Sequence, residues 1–222
     1  GLLGLLLKNA LPQRISDTLT KAIGICVLFI GLSGALQNMF TIEDGALSVD
    51  GTMMTIFSFI GGSILGGALD LEGRLERFGV WLRKRAGADG DSGFLNAFLT
   101  ASLTVCIGAM AIVGSIQDGL LGDASLLCAK AALDAVIILV MTASMGKGCI
   151  FSAIPVAILQ GGVTLLSRVI APVMTDAAIA SLSFTGSVMI FCVGVNLIWG
   201  KTIKVANLLP TLVFAVVYTF LF

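Results

Sequence analysis

Residues 96–119 read NAFLTASLTVCIGAMAIVGSIQDG, an apolar run long enough to cross a bilayer that keeps its small and polar residues on one stripe. Thr100, Thr104, Gly108, Ala111, Ser115 and Asp118 recur at three- and four-residue steps, so on a helix they align along one side. Leu99, Leu103, Met110 and Val113 lie opposite. In lipid, small residues let helix backbones approach and hydroxyls bond between helices. The stripe is therefore expected to face protein and the bulky side lipid, which makes this a buried, central helix. The same stripe would serve as a packing seam with no chemistry of its own.

Working outward, the whole chain has the composition of a membrane protein. Of its 222 residues 57% are hydrophobic and only 12% charged, and the mean hydropathy is +1.06. A soluble domain carries about 25% charge, so most of this surface must face hydrocarbon. The length suits a single all-α, polytopic transmembrane bundle of about seven or eight spans. Zero net charge leaves no electrostatic footprint for a nucleic acid. There is no histidine, which excludes a His-based triad and HExxH zinc chemistry. Cys26, Cys106, Cys128, Cys149 and Cys192 lie in apolar runs without CxxC spacing and read as small buried residues rather than metal ligands or disulfides. Residues 194–202, GVNLIWGKT, miss the phosphate-loop spacing by one residue between the glycines. No metal, cofactor or catalytic carboxylate pair is expected, and the chain does not read as an enzyme.

The spans are expected at residues 1–7 (the tail of a first span), 22–37, 52–69, 93–116, 126–145, 149–166, 177–199 and 203–222. A polar connection with Pro12 follows the first, and an acidic loop with Glu43, Asp44 and Asp50 follows the second. In the third, Ser58, Gly62, Gly66 and Asp70 repeat every four residues as a close-packing face. Residues 71–85 place Leu71, Leu75, Phe78 and Leu82 on one side and Arg74, Arg77 and Arg83 among the polar positions, the pattern of an interfacial amphipathic helix. Threading these spans puts eleven of the thirteen basic residues on one side, all but Lys130 and Arg168. By the positive-inside rule that side is cytoplasmic.

Cys26 to Gly34, Cys106 to Gly114 and Cys192 to Gly200 share a Cys-x7-Gly pattern, and Gly108 aligns with Gly194 in the last two copies. Spans three to five and six to eight could thus be inverted three-helix repeats, an arrangement of many secondary transporters, or share only the few residue types that membrane helices use. Gly62, Gly66, Gly108, Gly114 and Gly194 are the expected helix-packing positions.

For chemistry, Asp134 stands deep in its span, where an unpaired carboxylate costs several kcal/mol. It must be protonated, paired or facing a wet cavity, and Lys130, four residues earlier, supplies a structural partner. Pro155 and Pro210 remove backbone donors and mark helix breaks, which either line a pathway or simply kink. Ser152 and Gln160 flank the first break; Gln117, Asn196 and Asn207 are further polar candidates for a transport pathway.

At CIGAMAIVGSIQDG (106–119), GKGCIFSAIPVAILQGG (146–162) and IKVANLLP (203–210) the chain resembles the YqgA/YdfK-type family of uncharacterised bacterial inner-membrane proteins. The resemblance implies a multi-pass bacterial inner-membrane protein of unknown function, sometimes labelled a transporter, and lends no catalytic residues. The expected activity is passage of an unknown small solute or ion by a secondary transporter or channel. A non-transporting scaffold or regulatory subunit is the alternative. The lipid bilayer and further copies of the chain are the expected partners.

Overall fold

The structure, a computed structural model, describes residues 1–10, 12–43, 46–88, 92–106 and 109–221. It is an all-α bundle: α1 Leu2–Ala10, α2 Gln13–Met39, α3 Thr52–Ala68, α4 Leu71–Arg85, α5 Phe94–Cys106, α6 Ala109–Leu121, α7 Ser125–Met145, α8 Ala153–Leu165, α9 Ser167–Ile170, α10 Asp176–Trp199 and α11 Pro210–Leu221. Short 3-10 segments, Lys147–Ser152 and Val205–Leu208, lead into α8 and α11. Among the described residues the one departure is a hairpin after α2, β1 Phe40–Glu43 against β2 Ala46–Val49, with Phe40 opposite Val49. It occupies most of the expected acidic loop; Asp44 lies outside the described residues.

Among the described residues four helical stretches are long and apolar enough to cross a membrane: Asp17–Met39, Ser125–Met145, Lys147–Leu165 and Asp176–Trp199. The pair α3 and α4, bent by 52° at Leu69 and Asp70, would make a fifth if taken as one span. The expectation of seven or eight spans also counts shorter apolar pieces. Of these, α5 lies within the run expected at 93–116, and α11 with its 3-10 lead is a further short one. Gly108, between α5 and α6, lies outside the described residues. The expected polar connection before the second span is instead the first turns of α2. Pro12, at φ −59°, stands at its N-cap, where a missing amide donor costs nothing.

Helix packing follows the small residues. α2 and α10 run antiparallel: Gly24 lies against Leu197 and Ile198, Gly31 against Phe191, and Gly34 against Ser187, while Gly194 fits against the Leu28 backbone. α3 and α11 pair the same way, with Gly62 on Thr211 and Gly66 on the Asn207 carbonyl at the end of the adjoining 3-10 segment. Such backbone approach yields dispersion contacts in lipid, where no hydrophobic force drives helices together. Gly114 meets Leu127 on α7. The outer flanks are apolar and exposed, as at Phe29, Ile60, Ile64 and Val136.

α5 sits at the centre, packed by α4, α7, α8, α10 and the Lys147–Ser152 segment. Gly148 lets that segment come onto the Phe94 carbonyl. Leu99 and Leu103, expected to face lipid, are 4% and 8% exposed. From Ala97 to Leu103 every residue of the helix is buried, so its bulky face there packs on protein just as its small face does.

Candidate functional site

Two opposite charges on α7 meet beside α5. The ammonium of Lys130 donates to the Val105 carbonyl oxygen on α5 at 2.8 Å. The same ammonium donates to the Asp134 carboxylate, one helical turn along α7. Asp134 is the tenth residue of α7, so it stands about 14 Å along a helix about 31 Å long, at 1.5 Å per residue. Lys130 is shut away, its side chain 9% exposed, while the carboxylate keeps 22%.

That exposure opens into a cavity of about 580 Å³. Its polar lining is Asp134, Ser152 and Gln160, from α7, the 3-10 segment and α8. Leu2, Val105, Ile138 and Val156 are among its apolar walls. The Ser152 hydroxyl donates to the Cys149 carbonyl at 2.7 Å. Pro155 falls in the first turn of α8, directly after the 3-10 segment, where its lost donor is not needed. The break is therefore a change of helix type at the cavity wall rather than a kink inside a helix. An acidic oxygen and two neutral polar groups in an apolar cleft can hold a small polar or charged solute and fix its orientation.

The other sequence candidates lie elsewhere. Gln117 is half-buried on α6 and does not line this cavity. Asn196, near the end of α10, binds the turn that follows. Its carbonyl oxygen accepts from the amides of Thr202 and Ile203 at 3.0 and 2.9 Å and from the Thr202 hydroxyl at 3.1 Å, and its amide donates to the Ile203 carbonyl at 2.7 Å. Asn207 accepts from the Glu72 amide at 2.8 Å. Pro210 opens α11 right after the second 3-10 segment.

Glu72 is the residue that sequence reasoning missed. It is 4% exposed. One carboxylate oxygen accepts from the Ala206 amide at 3.0 Å and the other meets the Lys201 ammonium at 2.9 Å. Glu76 pairs with the same ammonium. Burial lowers the pKa of Lys201, but the hydrogen bonds and charges of Glu76 and Glu72 outweigh it and hold the ammonium above its usual range. Asn96, Thr100, Asn196 and Lys201 share with Glu72 a crevice of about 20 Å³, room for one water. The signal was present in the sequence: Glu72, Leu75, Gly79 and Leu82 fall at three- and four-residue steps, which puts a carboxylate on the buried face of α4.

Among the described residues no three His, Cys, Asp or Glu side chains are grouped to hold a metal ion. The family described as a protein of unknown function, DUF554, matches residues 1–220. The chain is 26% identical over 220 residues to the uncharacterized membrane protein YdfK of Bacillus subtilis (strain 168), covering 99% of this chain and 90% of that one. It is 24% identical over 215 residues to the uncharacterized protein YqgA of Escherichia coli (strain K12), covering 97% and 88%. No solved structure matches it. The chain belongs to the DUF554 family.

Proposed function

We propose that this DUF554 membrane protein passes a small solute or ion across a bacterial inner membrane as a secondary transporter or channel, with its pathway through the Asp134 cavity. The observation that carries this reading is a half-way carboxylate on α7 that is paired on one side and open on the other to a cavity of about 580 Å³. A carboxylate kept at membrane depth is costly unless it is paired or faces water, and ionisable groups inside spans are commonly those that line a pathway. Here only Lys130 is closed in. In this reading Asp134 is the binding or coupling group, Lys130 its internal counter-ion, and Ser152 and Gln160 orient the solute. Asn207 and Glu72 hold the second 3-10 segment in place, and Asn196 the turn before it. The basic end of the bundle is cytoplasmic, the small-residue seams extend to a homo-oligomer, and no catalysis is involved.

The test is reconstitution into liposomes with a panel of ions, amino acids and organic acids at two pH values, reading flux and thermal stabilisation for wild type and Asp134→Asn. A ligand at one hundred times its Kd should stabilise wild type by about 2.7 kcal/mol. The expected result is flux and stabilisation for one solute class in wild type and neither in the variant. Flux in Asp134→Asn equal to wild type would remove Asp134 from the pathway. No response to any of the panel in wild type would favour a scaffold.

A further inference from the structure

We propose that the outer face of α4 is a binding site for anionic phospholipid headgroups, and that lipid bound there holds α4 against the 3-10 segment that precedes α11. α4 has two faces of opposite character. Glu72, Gly79 and Leu82 are buried against the bundle, whereas Arg74, Arg77, Trp81, Lys84 and Arg85 are exposed. Positions 74, 77, 81 and 84 are three and four residues apart, so they form one stripe.

That stripe keeps its positive charge. Both glutamates of α4 are bonded to Lys201 on the bundle side, so they do not neutralise it. Asp70 stands 3.6 Å from Arg77, but both side chains are more than half exposed, and such pairs contribute little. Trp81, 52% exposed, lies in the middle of the stripe, with the Arg85 guanidinium 5.7 Å from its ring centroid. An indole among arginines is costly to leave in water and suits the headgroup level of a bilayer.

Position points the same way. α3 carries Phe57, Ile60 and Ile64 exposed on its flank, a surface suited to acyl chains. α4 leaves its end through the 52° bend, at Asp70, which caps α4 by accepting from the Gly73 amide. The helix thus emerges where the apolar flank ends. On its inner side Glu72 accepts from the Ala206 amide while Asn207 accepts from the Glu72 amide, so α4 and the 3-10 segment are tied in both directions. Headgroups that fix the outer face fix this tie too.

Trp81 and Trp199 are the two tryptophans of the chain, so Trp199→Phe leaves Trp81 as the only indole. The full-length variant is reconstituted in phosphatidylcholine bilayers containing an equal fraction of brominated phosphatidylglycerol or brominated phosphatidylcholine, and Trp81 quenching is compared. Each basic residue near the surface favours anionic lipid by about fivefold, so phosphatidylglycerol should quench at least about twofold more strongly. Added salt should shrink the difference. Arg74→Gln, Arg77→Gln, Lys84→Gln and Arg85→Gln together should abolish it, and the Arg74→Gln, Arg77→Gln pair serves if the quadruple variant does not fold. Equal quenching by the two lipids in the parent protein would overturn the proposal. So would an undiminished difference in either charge variant, or displacement of the lipid effect by millimolar inorganic phosphate, which would assign the site to a soluble anion.

Discussion

Lys130→Met tests the ion pair at the heart of the site. Methionine fills most of the lysine stem, so little packing is lost and the change isolates the ammonium. Lys130 is 7% exposed and makes two bonds, to the Val105 carbonyl and to Asp134. Removing one partner of a buried pair costs about 3 to 5 kcal/mol, because the other charge stays behind. Cavity access at Asp134 reduces that, while loss of the bond to the Val105 carbonyl adds about 1 kcal/mol. The net loss should be about 3 kcal/mol. Asp134→Asn retains an acceptor for the ammonium and should cost about 1 to 2 kcal/mol. The double variant carries no stranded charge and should be more stable than the sum of the singles by about 2 kcal/mol. Equilibrium unfolding in a mild detergent measures the cycle. Strict additivity, or a loss of under about 0.5 kcal/mol for Lys130→Met, would refute the view that the two residues form one buried unit.

Other expectations concern the elements that position the site. Gly66→Ala places a methyl on the Asn207 carbonyl oxygen and should cost about 1 to 3 kcal/mol, whereas Gly67→Ala, with open space beside it, should be neutral or slightly stabilising; paired thermal melts compare them. Asn196→Ala frees the turn at Thr202 and Ile203 and should cost about 1 to 3 kcal/mol, with flux retained at a temperature where the variant is folded. Lys201 has a raised folded pKa, so its contribution is fully present below the ordinary lysine value of 10.5 and is lost as pH rises through the folded value. Stability should therefore fall above pH 10.5 in wild type, and less steeply in Lys201→Gln, when melting is followed across that range.

Much of the architecture is legible in the residues because lipid imposes simple demands. The apolar runs that become α3, α7 and α10, and the amphipathic run that becomes α4, stand out because a helix must satisfy its own backbone at membrane depth. The i, i+4 spacing of Lys130 and Asp134 likewise suffices to bring them together. The site's other half is less legible. Pro155 and Pro210 mark breaks, but nothing local says that one 3-10 segment will join Ser152 to a cavity while the other is held by Glu72. Asn196 and Asn207 are equally polar in sequence, and only the tertiary fold shows that both bind backbone. Leu99 and Leu103 look lipid-facing because a leucine packed on protein and one packed on acyl chains obey the same pattern. Glu72 goes unnoticed for a different reason: in a helix rich in charge, one more carboxylate passes as a surface residue unless its step to Leu75 and Leu82 is counted.

The proposed pathway needs a wet cavity that reaches Asp134. In a background without the exposed and half-buried Cys26, Cys128, Cys106 and Cys192, and with buried Cys149 retained, single cysteines at Ala153 and Gln160 report on the cavity lining. One at Val136, 64% exposed on the outer side of α7, reports on lipid. A small charged thiol reagent reacts only where water lets the thiolate form. With a wet cavity, labelling should be prompt at Ala153→Cys and Gln160→Cys in intact proteoliposomes and absent at Val136→Cys. Failure to label either cavity position, with the protein folded, would contradict the proposed pathway.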